Sequence, residues 1–296
     1  MRNRIKYSQN FLVSNELVRS LIRKSSLSSD DIVFEIGAGE GIITQELLKK
    51  SKKVVAFELD RDLLNKLSEK FRTERLLELR NEDFLNCDLP SYSYKVFSNI
   101  PFNITSSIIK KLTLEASPPE DSYLIVQKEA AMRFVGKPLD SKNSQLAIVL
   151  APWFEFRFIH QFRPSDFSPR PNVDIVFLGI RKRKEPLVDN KNKDKYRDLV
   201  IYAFSQTKPN ISEGLSKVID KQSVIKLAEK VGFSPNAKPS ELDLEDWISL
   251  FGLFIDLPDK QQNIVRGSFA KQLEQQKDIE KINRTRIDKN WRNYRH

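Results

Sequence analysis

Asp31-Ile32-Val33-Phe34-Glu35-Ile36-Gly37-Ala38-Gly39-Glu40-Gly41-Ile42 joins a short buried-strand pattern to a glycine turn. The amphipathic stretch Ile42–Lys50 follows directly. Glycines in such a turn accept positive φ and let a ligand approach the backbone closely. The spacing is G-x-G-x-G with isoleucine at 42, so the dinucleotide fingerprint G-x-G-x-x-G is not met and a nicotinamide cofactor is disfavoured. A purely structural strand-to-helix turn has the same look, so the flanking sequence has to decide.

Outward from the turn, strand and helix patterns alternate. Lys53–Glu58, Leu76–Arg80, Tyr94–Ser98 and Ser122–Val126 read as strands, with helices over Arg61–Phe71 and Thr105–Glu115. This alternation predicts an α/β, Rossmann-like parallel sheet covered by helices on both faces. Trp153–Phe162 and Val173–Arg181 read as two antiparallel strands at a sheet edge, flanking the proline-rich loop RPSDFSPRP. Farther on the β signal stops, and Tyr196–Ser205, Gln222–Val231 and Leu244–Phe254 have helical spacing. The expected organisation is a catalytic domain over 1–183, a small helical domain over 184–256, and a basic tail over 257–296. The tail is either disordered or a helix that orders on a partner.

Composition narrows the function classes. The single Cys87 excludes an intrachain disulfide, and with only His160 and His296 beside it no ordinary zinc site can form. No run approaches the roughly 20 apolar residues of a membrane helix. A cytoplasmic, monomeric protein without a metal or a membrane partner is expected. Fifty Lys and Arg stand against 40 Asp and Glu, a net charge of +10. The stretch Leu257–His296 carries +5 of this and Arg181–Lys195 carries +4. Such patches suit a polyanion, because each phosphate contact releases counterions; solvated linkers would also account for them.

Chemistry concentrates at the ends of successive predicted strands, where open α/β sheets bind ligands. Glu58 lies nineteen residues beyond Gly39, where a carboxylate can accept both hydroxyls of a ribose. Asp83, in Asn81-Glu82-Asp83-Phe84, can accept a hydrogen bond from an adenine amino group, with Phe84 as an apolar flank. Taken singly, each acid reads equally as a helix cap or a turn residue. Together with the glycine turn they point to a nucleoside cofactor.

Ser98-Asn99-Ile100-Pro101-Phe102-Asn103-Ile104 resembles the (D/N/S)-P-P-(Y/F) motif of amino-group methyltransferases, in the N-I-P-Y form of ribosomal RNA adenine dimethylases. The amino lone pair of adenine is delocalised into the ring. The Asn99 side-chain oxygen and the Ile100 carbonyl can accept both amino hydrogens and favour a more pyramidal, electron-rich nitrogen. Pro101 stiffens the turn and removes a competing N–H. Phe102 can stack on a base taken out of its helix.

With these residues the chain, from about Lys6 to Phe254, resembles the Erm family of 23S ribosomal RNA adenine methyltransferases, and its KsgA-type small-subunit cousins. Ser8-Gln9-Asn10-Phe11-Leu12 is similar to the family's amino-terminal S-Q-N-F motif, and Asp166-Phe167-Ser168-Pro169-Arg170-Pro171-Asn172-Val173 to its F-x-P-x-P-x-V loop. The resemblance implies S-adenosylmethionine as cofactor, held by Asn10, Leu12, Gly37, Gly39, Glu58, Asp83 and Asn99. It implies catalysis by Asn99, Ile100, Pro101 and Phe102, and a target base held by Phe102 and Phe167. Phe102 replaces the family's tyrosine, keeping the ring and losing a hydroxyl. Gln127-Lys128-Glu129-Ala130-Ala131 and Ala237-Lys238-Pro239 look like the small-subunit (16S) cousin. Ser8, Ile100, the Trp247–Phe251 pattern, the tail, and Thr207–Ser212 in place of a basic stretch look like Erm. Large-subunit RNA, and with it macrolide resistance, is the expectation. A small-molecule methyltransferase needs neither the Asn-Ile-Pro-Phe motif nor the charge. A DNA amino-methyltransferase fits the start and the helical end poorly, and a non-enzymatic relative would let Asn99 or Glu58 drift.

Overall fold

The computed structural model describes residues 10–136, 143–208 and 210–276. Ser8 and Gln9 of the amino-terminal motif, Pro209, and residues 277–296 of the tail lie outside them. The described strands, in chain order, are β1 (Phe11–Leu12), β2 (Ile32–Ile36), β3 (Lys53–Phe57), β4 (Leu77–Arg80) and β5 (Lys95–Asn99). They continue with β6 (Asp121–Gln127), β7 (Phe154–Gln161), β8 (Phe167–Ser168) and β9 (Ile175–Lys182). Seven of them form one sheet in the order β4-β3-β2-β5-β6-β9-β7, and β1 pairs with β8. β2 to β6 run parallel, whereas β9 is antiparallel to both β6 and β7. The Rossmann-like α/β fold is therefore present.

The two strands expected as antiparallel neighbours at a sheet edge are β7 and β9, with β7 outermost and β9 between β6 and β7. The residues explain the order. Ile175–Ile180 is an unbroken buried run, which needs cover on both faces, while β7 after Phe154 is half-exposed or exposed at every position.

Local signals set the helices that flank the site. Ser14 accepts the Leu17 N–H at 3.2 Å and caps the helix Asn15–Arg23, whose last turn carries Arg23. Asp60 caps Arg61–Lys70 by accepting the N–H groups of Asp62 and Leu63. The core joins Val18 and Leu21 to Ile43 and Leu47 of the helix Ile42–Leu48, and to Val33, Val54 and Ala56 of the sheet. Phe97, Tyr123 and Phe177 bridge β5, β6 and β9, with Phe97 and Phe177 ring centres 5.2 Å apart. Each such fully buried side chain contributes about 1.5–3 kcal/mol.

The chain divides into two compact units, residues through 136 together with 153–185, and 137–152 together with 186–296. The described segment 143–152 belongs to the helical unit. Its helix Gln145–Leu150 buries Ala147, Ile148, Val149 and Leu150, and the Ile148 carbonyl accepts the Tyr196 hydroxyl at 3.2 Å. Asn143 Nδ2 donates to the Leu242 carbonyl at 2.6 Å. Helices Lys193–Ser205, Lys221–Val231 and Leu244–Ile255 form the rest of this core, with Trp247 stacked on Phe204 at 5.8 Å. Part of the stretch read as the tail is described. Asp259–Val265 and residues 268–276 are helical, and Val265 and Phe269 are buried.

Lys95, at the start of β5, is buried and donates to Asp31 Oδ2 and to the Ser26 carbonyl, each at 2.9 Å. Burial opposes ionisation of Asp31, but hydrogen bonds from Lys95 and Ser28 outweigh it and hold the carboxyl below its usual value. A depressed carboxylate contributes stability above its unfolded value, about 3.9, and that contribution is lost as pH falls through the folded value. Lys95→Met is expected to lower the urea midpoint at neutral pH and to flatten the acid limb of the stability profile. An unchanged acid limb would show that the pair does not set it.

Candidate active site

β2 lies between β3 and β5, so the direction of strand succession reverses there, and a ligand crevice is expected beyond the carboxyl ends of these strands. The backbones of β2 and β5 pair only at Val33–Lys95 and Phe34–Val96. Past that point Ser98 Oγ accepts the Ile36 N–H at 2.7 Å, a side chain taking over where the ladder ends. The next turn needs its glycines. Gly39 has φ +59°, and a Cβ there would stand 2.8 Å from the Phe11 ring. Gly41 has φ +78° and caps the next helix with Leu67 and Phe71 within 2.7 Å of a would-be Cβ.

Asn99 draws three distant segments together. Its Nδ2 donates to the Asn10 carbonyl at 2.7 Å, and Asn10 Nδ2 donates in turn to the Pro169 carbonyl at 2.7 Å. Phe11 and Leu12 pair antiparallel with Ser168 and Phe167. A carbonyl only accepts, so the nitrogen end of the Asn99 amide must face Asn10, which turns Oδ1 the other way as an acceptor. Ile100 anchors the loop, with a side chain 1% exposed and an N–H that donates to the Ile125 carbonyl at 3.1 Å. Pro101 precedes the short 3-10 turn Phe102–Ile104, and Phe102 is half-buried.

These elements surround a cavity of about 570 Å³. Asn10, Leu12, Gly37, Gly39 and Asn99 line it, as do Ile100, Pro101 and Phe102. All four expected catalytic residues and five of the seven expected cofactor residues therefore meet at one place. Glu58 is not among the lining residues. It is buried behind the glycine turn, with Oε2 accepting the Gly39 N–H and Oε1 the Asp60 N–H, both at 2.9 Å. A carboxylate offers about four lone-pair sites, so two remain for further donors. Asp83 is not among them either; it caps the turn Phe84–Asn86 through the Leu85 N–H at 2.9 Å, while Phe84 is buried edge-on against Phe57. Phe167 differs from expectation as well. Its ring is 3% exposed and packs on Phe162 at 5.3 Å, and its neighbours Ser168 and Pro169 line the cavity instead.

Glu35 and Lys70 are among the lining residues that the sequence reading did not single out. Glu35 is buried within β2 and accepts the Thr44 hydroxyl at 2.6 Å. Burial pushes its carboxyl up to about 8, against the Thr44 hydrogen bond and with the charge of Glu58 adding to the rise. An acid in the otherwise apolar run Ile32–Ile36 was the available signal. Lys70 reaches the glycine turn from the next helix and donates to the Glu40 carbonyl at 3.0 Å; nothing in its local pattern marks it.

A carboxyl raised in the folded protein contributes stability below its unfolded value, about 4.3, and loses it as pH rises through the folded value. Glu35→Gln should therefore match the wild type in acid and gain in relative thermal midpoint as pH climbs to about 8. A constant offset across that range would place the titration elsewhere.

Among the described residues no group of three or more His, Cys, Asp or Glu is arranged to hold a metal, and no helix is long and apolar enough to cross a membrane. The chain matches the ribosomal RNA adenine dimethylase family over residues 1–256. It is 31% identical over 257 residues to the ribosomal RNA small subunit methyltransferase A of Mycoplasmopsis pulmonis, covering 85% of this chain and 98% of that protein. The protein of the same name from Caldanaerobacter subterraneus is 31% identical over 259 residues, covering 84% and 96%. Among solved structures, the 23S rRNA methyltransferase ErmE superposes with a TM-score of 0.77 at 28% identity, over 83% of this chain and all of that one. A dimethyladenosine transferase from Plasmodium falciparum shares the fold, with a TM-score of 0.70 at 22% identity over 85% of this chain and 98% of its own. A family match that spans both the glycine turn and the Asn99 loop decides the matter: the chain belongs to the ribosomal RNA adenine dimethylase family.

Proposed function

We propose that the protein transfers methyl groups from S-adenosylmethionine to the exocyclic amino group of an adenine in ribosomal RNA, with small-subunit RNA as substrate. The observation that carries the chemistry is the Asn99 amide, held by Asn10 so that its oxygen is left as an acceptor. The names of the relatives at 31% identity favour the small subunit. The large-subunit expectation drawn from Ser8 and Ile100 keeps one specific support, the likeness to ErmE, and is the second reading. Macrolide resistance belongs to that second reading alone.

The residues fit the cofactor. The glycine backbone at Gly37 and Gly39 lies open to the cavity, Glu58 retains lone pairs for hydroxyl donors, and Asn10 and Leu12 close one side. When bound, S-adenosylmethionine supplies a methyl carbon on a positively charged sulfur. Asn99 Oδ1 and the Ile100 carbonyl accept the two amino hydrogens and keep the nitrogen lone pair out of the ring. The methyl group would be taken up by that nitrogen, with the carbon–sulfur electron pair left on the cofactor, and the displaced amino proton would pass to solvent. Pro101 leaves no N–H to compete for the carbonyls. Phe102, half-buried at the cavity, is the ring that stacks on the extruded base. Asp83 and Phe167 serve this reading as turn and scaffold residues, through the backbone they hold.

Asn99→Ala should lower kcat far more than RNA affinity. Phe102→Tyr should be nearly silent, whereas Phe102→Ala should lose about 1–3 kcal/mol of stacking. Reverse transcription across both protein-free ribosomal RNAs after treatment should give new stops in the small-subunit RNA. Stops confined to the large-subunit RNA, with macrolide resistance in an expressing bacterium, would move the substrate to the second reading. No stops in either would refute both.

A further inference from the structure

Among the described residues that line the cavity three are ionisable, Glu35, Glu40 and Lys70. Glu40 and Lys70 are exposed, where water weakens their fields, whereas Glu35 is 1% exposed. The reaction set out above gives Glu35 no part. It stands in the apolar run of β2, two residues before Gly37. Thr44, in the helix Ile42–Leu48, donates its hydroxyl to Glu35 Oε2 at 2.6 Å. A carboxylate offers about four lone-pair sites, so Thr44 leaves capacity for a further, positive partner.

The charges that face Glu35 are few. Glu58, just past β3, adds a negative charge, and Lys70, from the helix Arg61–Lys70, offsets it in part. Glu46 shares a helix with Thr44 but pairs with Arg19 and Lys49. Asn10, Asn15, Gln45 and Asn99, the amides of the lining, carry no charge. Burial holds the Glu35 carboxyl up at about 8, so a positive charge brought into the cavity favours its ionised form. S-adenosylmethionine brings such a charge on its sulfur. S-adenosylhomocysteine, the product left after methyl transfer, has a neutral sulfur and otherwise differs only by one methyl group. Where water is excluded, that charge is the larger difference between the two.

We propose that Glu35 is a specificity-determining residue that reads the charge of the cofactor, favouring the sulfonium donor over the neutral-sulfur product. As the donor binds, the Glu35 O–H bond breaks, its electrons stay on the carboxylate and the proton passes to solvent. Once the methyl group has gone the sulfur is neutral, the carboxylate takes a proton back from solvent, and the product is held less tightly. The linkage has a fixed sign: the ionised form grows as pH rises through about 8, so donor affinity rises over the same range. The identity of the donor rests on the function proposed above.

The test is titration calorimetry with S-adenosylmethionine and S-adenosylhomocysteine, from about pH 6.5 to about pH 8.5 and in two buffers of different ionisation enthalpy. It compares the full wild-type chain with Glu35→Gln and Thr44→Val. The ratio of wild-type to variant affinity at each pH cancels the titration of the ligands themselves. For Glu35→Gln that ratio should rise about fivefold or more across the range for S-adenosylmethionine and stay flat for S-adenosylhomocysteine. The buffer dependence of the enthalpy should show the wild type releasing a fraction of a proton on binding S-adenosylmethionine that Glu35→Gln does not release. Thr44→Val lacks the hydroxyl that favours the ionised carboxyl, and should move the rise to higher pH. A preference for S-adenosylmethionine and a proton release both unchanged in Glu35→Gln would overturn the proposal and leave Glu35 a partner of Thr44 alone. Should the thermal midpoint show that Glu35→Gln is unfolded, an unmoved pH dependence in Thr44→Val would overturn it instead. A wild-type chain that binds neither ligand would overturn the cofactor reading as well, whereas one that binds both without regard to charge would overturn this proposal alone.

Discussion

The hydrogen bond from Asn99 Nδ2 to the Asn10 carbonyl is the constraint on which the site depends. Residue 99 ends a central strand, residue 10 opens the described chain, and residue 169, the next partner, sits in a loop between two strands of the far side of the sheet. Local sequence cannot bring them together; the sheet order does. β1 pairs with β8, and Asn10 bonds to both Asn99 and Pro169. The bond also fixes which end of the Asn99 amide meets the Asn10 carbonyl, and in the proposed reaction the other end, Oδ1, is the acceptor. An acceptor must face an amino group, and a carbonyl neighbour enforces this without further machinery.

The glycine turn works on the same principle of close approach. Phe11 comes so near Gly39 that a methyl group would collide with its ring, so the amino-terminal segment and the turn fit only as a pair. Behind them, Glu58 takes the Gly39 N–H and Glu35 takes the Thr44 hydroxyl, two buried acids that stiffen the floor of the cavity. Burial raises the Glu35 carboxyl to about 8, so its neutral form is favoured in the floor of the cavity. Preorganisation of this kind places acceptors before substrate arrives and avoids reorganisation during the reaction.

Much of this was legible in the sequence where a local rule governed it. Period and turn signals marked β2 to β6 and their helices, because a parallel sheet needs long, uniformly apolar strands separated by amphipathic crossovers. The Asn-Ile-Pro-Phe loop was legible because few structures need that string. The order of β7 and β9 was not, since two neighbouring antiparallel strands look alike until their other neighbour is known. Residues 143–152 and 257–276 were not assigned to the helical unit for a related reason: short segments declare no partner until the helix Lys193–Ser205 offers one. Glu35 was overlooked because it stands inside a strand, where an acid reads as an exception and not as a lining residue. Asp83 and Phe167 show the converse, residues prominent in a motif whose side chains cap and pack.

The central claim is that a fixed acceptor at Asn99 directs methyl transfer to the exocyclic amino group. Mass spectrometry of nucleosides released from ribosomal RNA, after incubation with the protein and S-adenosylmethionine, tests it most directly. N6-methyladenosine and N6,N6-dimethyladenosine are expected in the treated RNA, both absent when Asn99→Ala replaces the wild-type chain. Methylation at a ring nitrogen of adenine, at another base or at a ribose hydroxyl, or an undiminished product from Asn99→Ala, would contradict it.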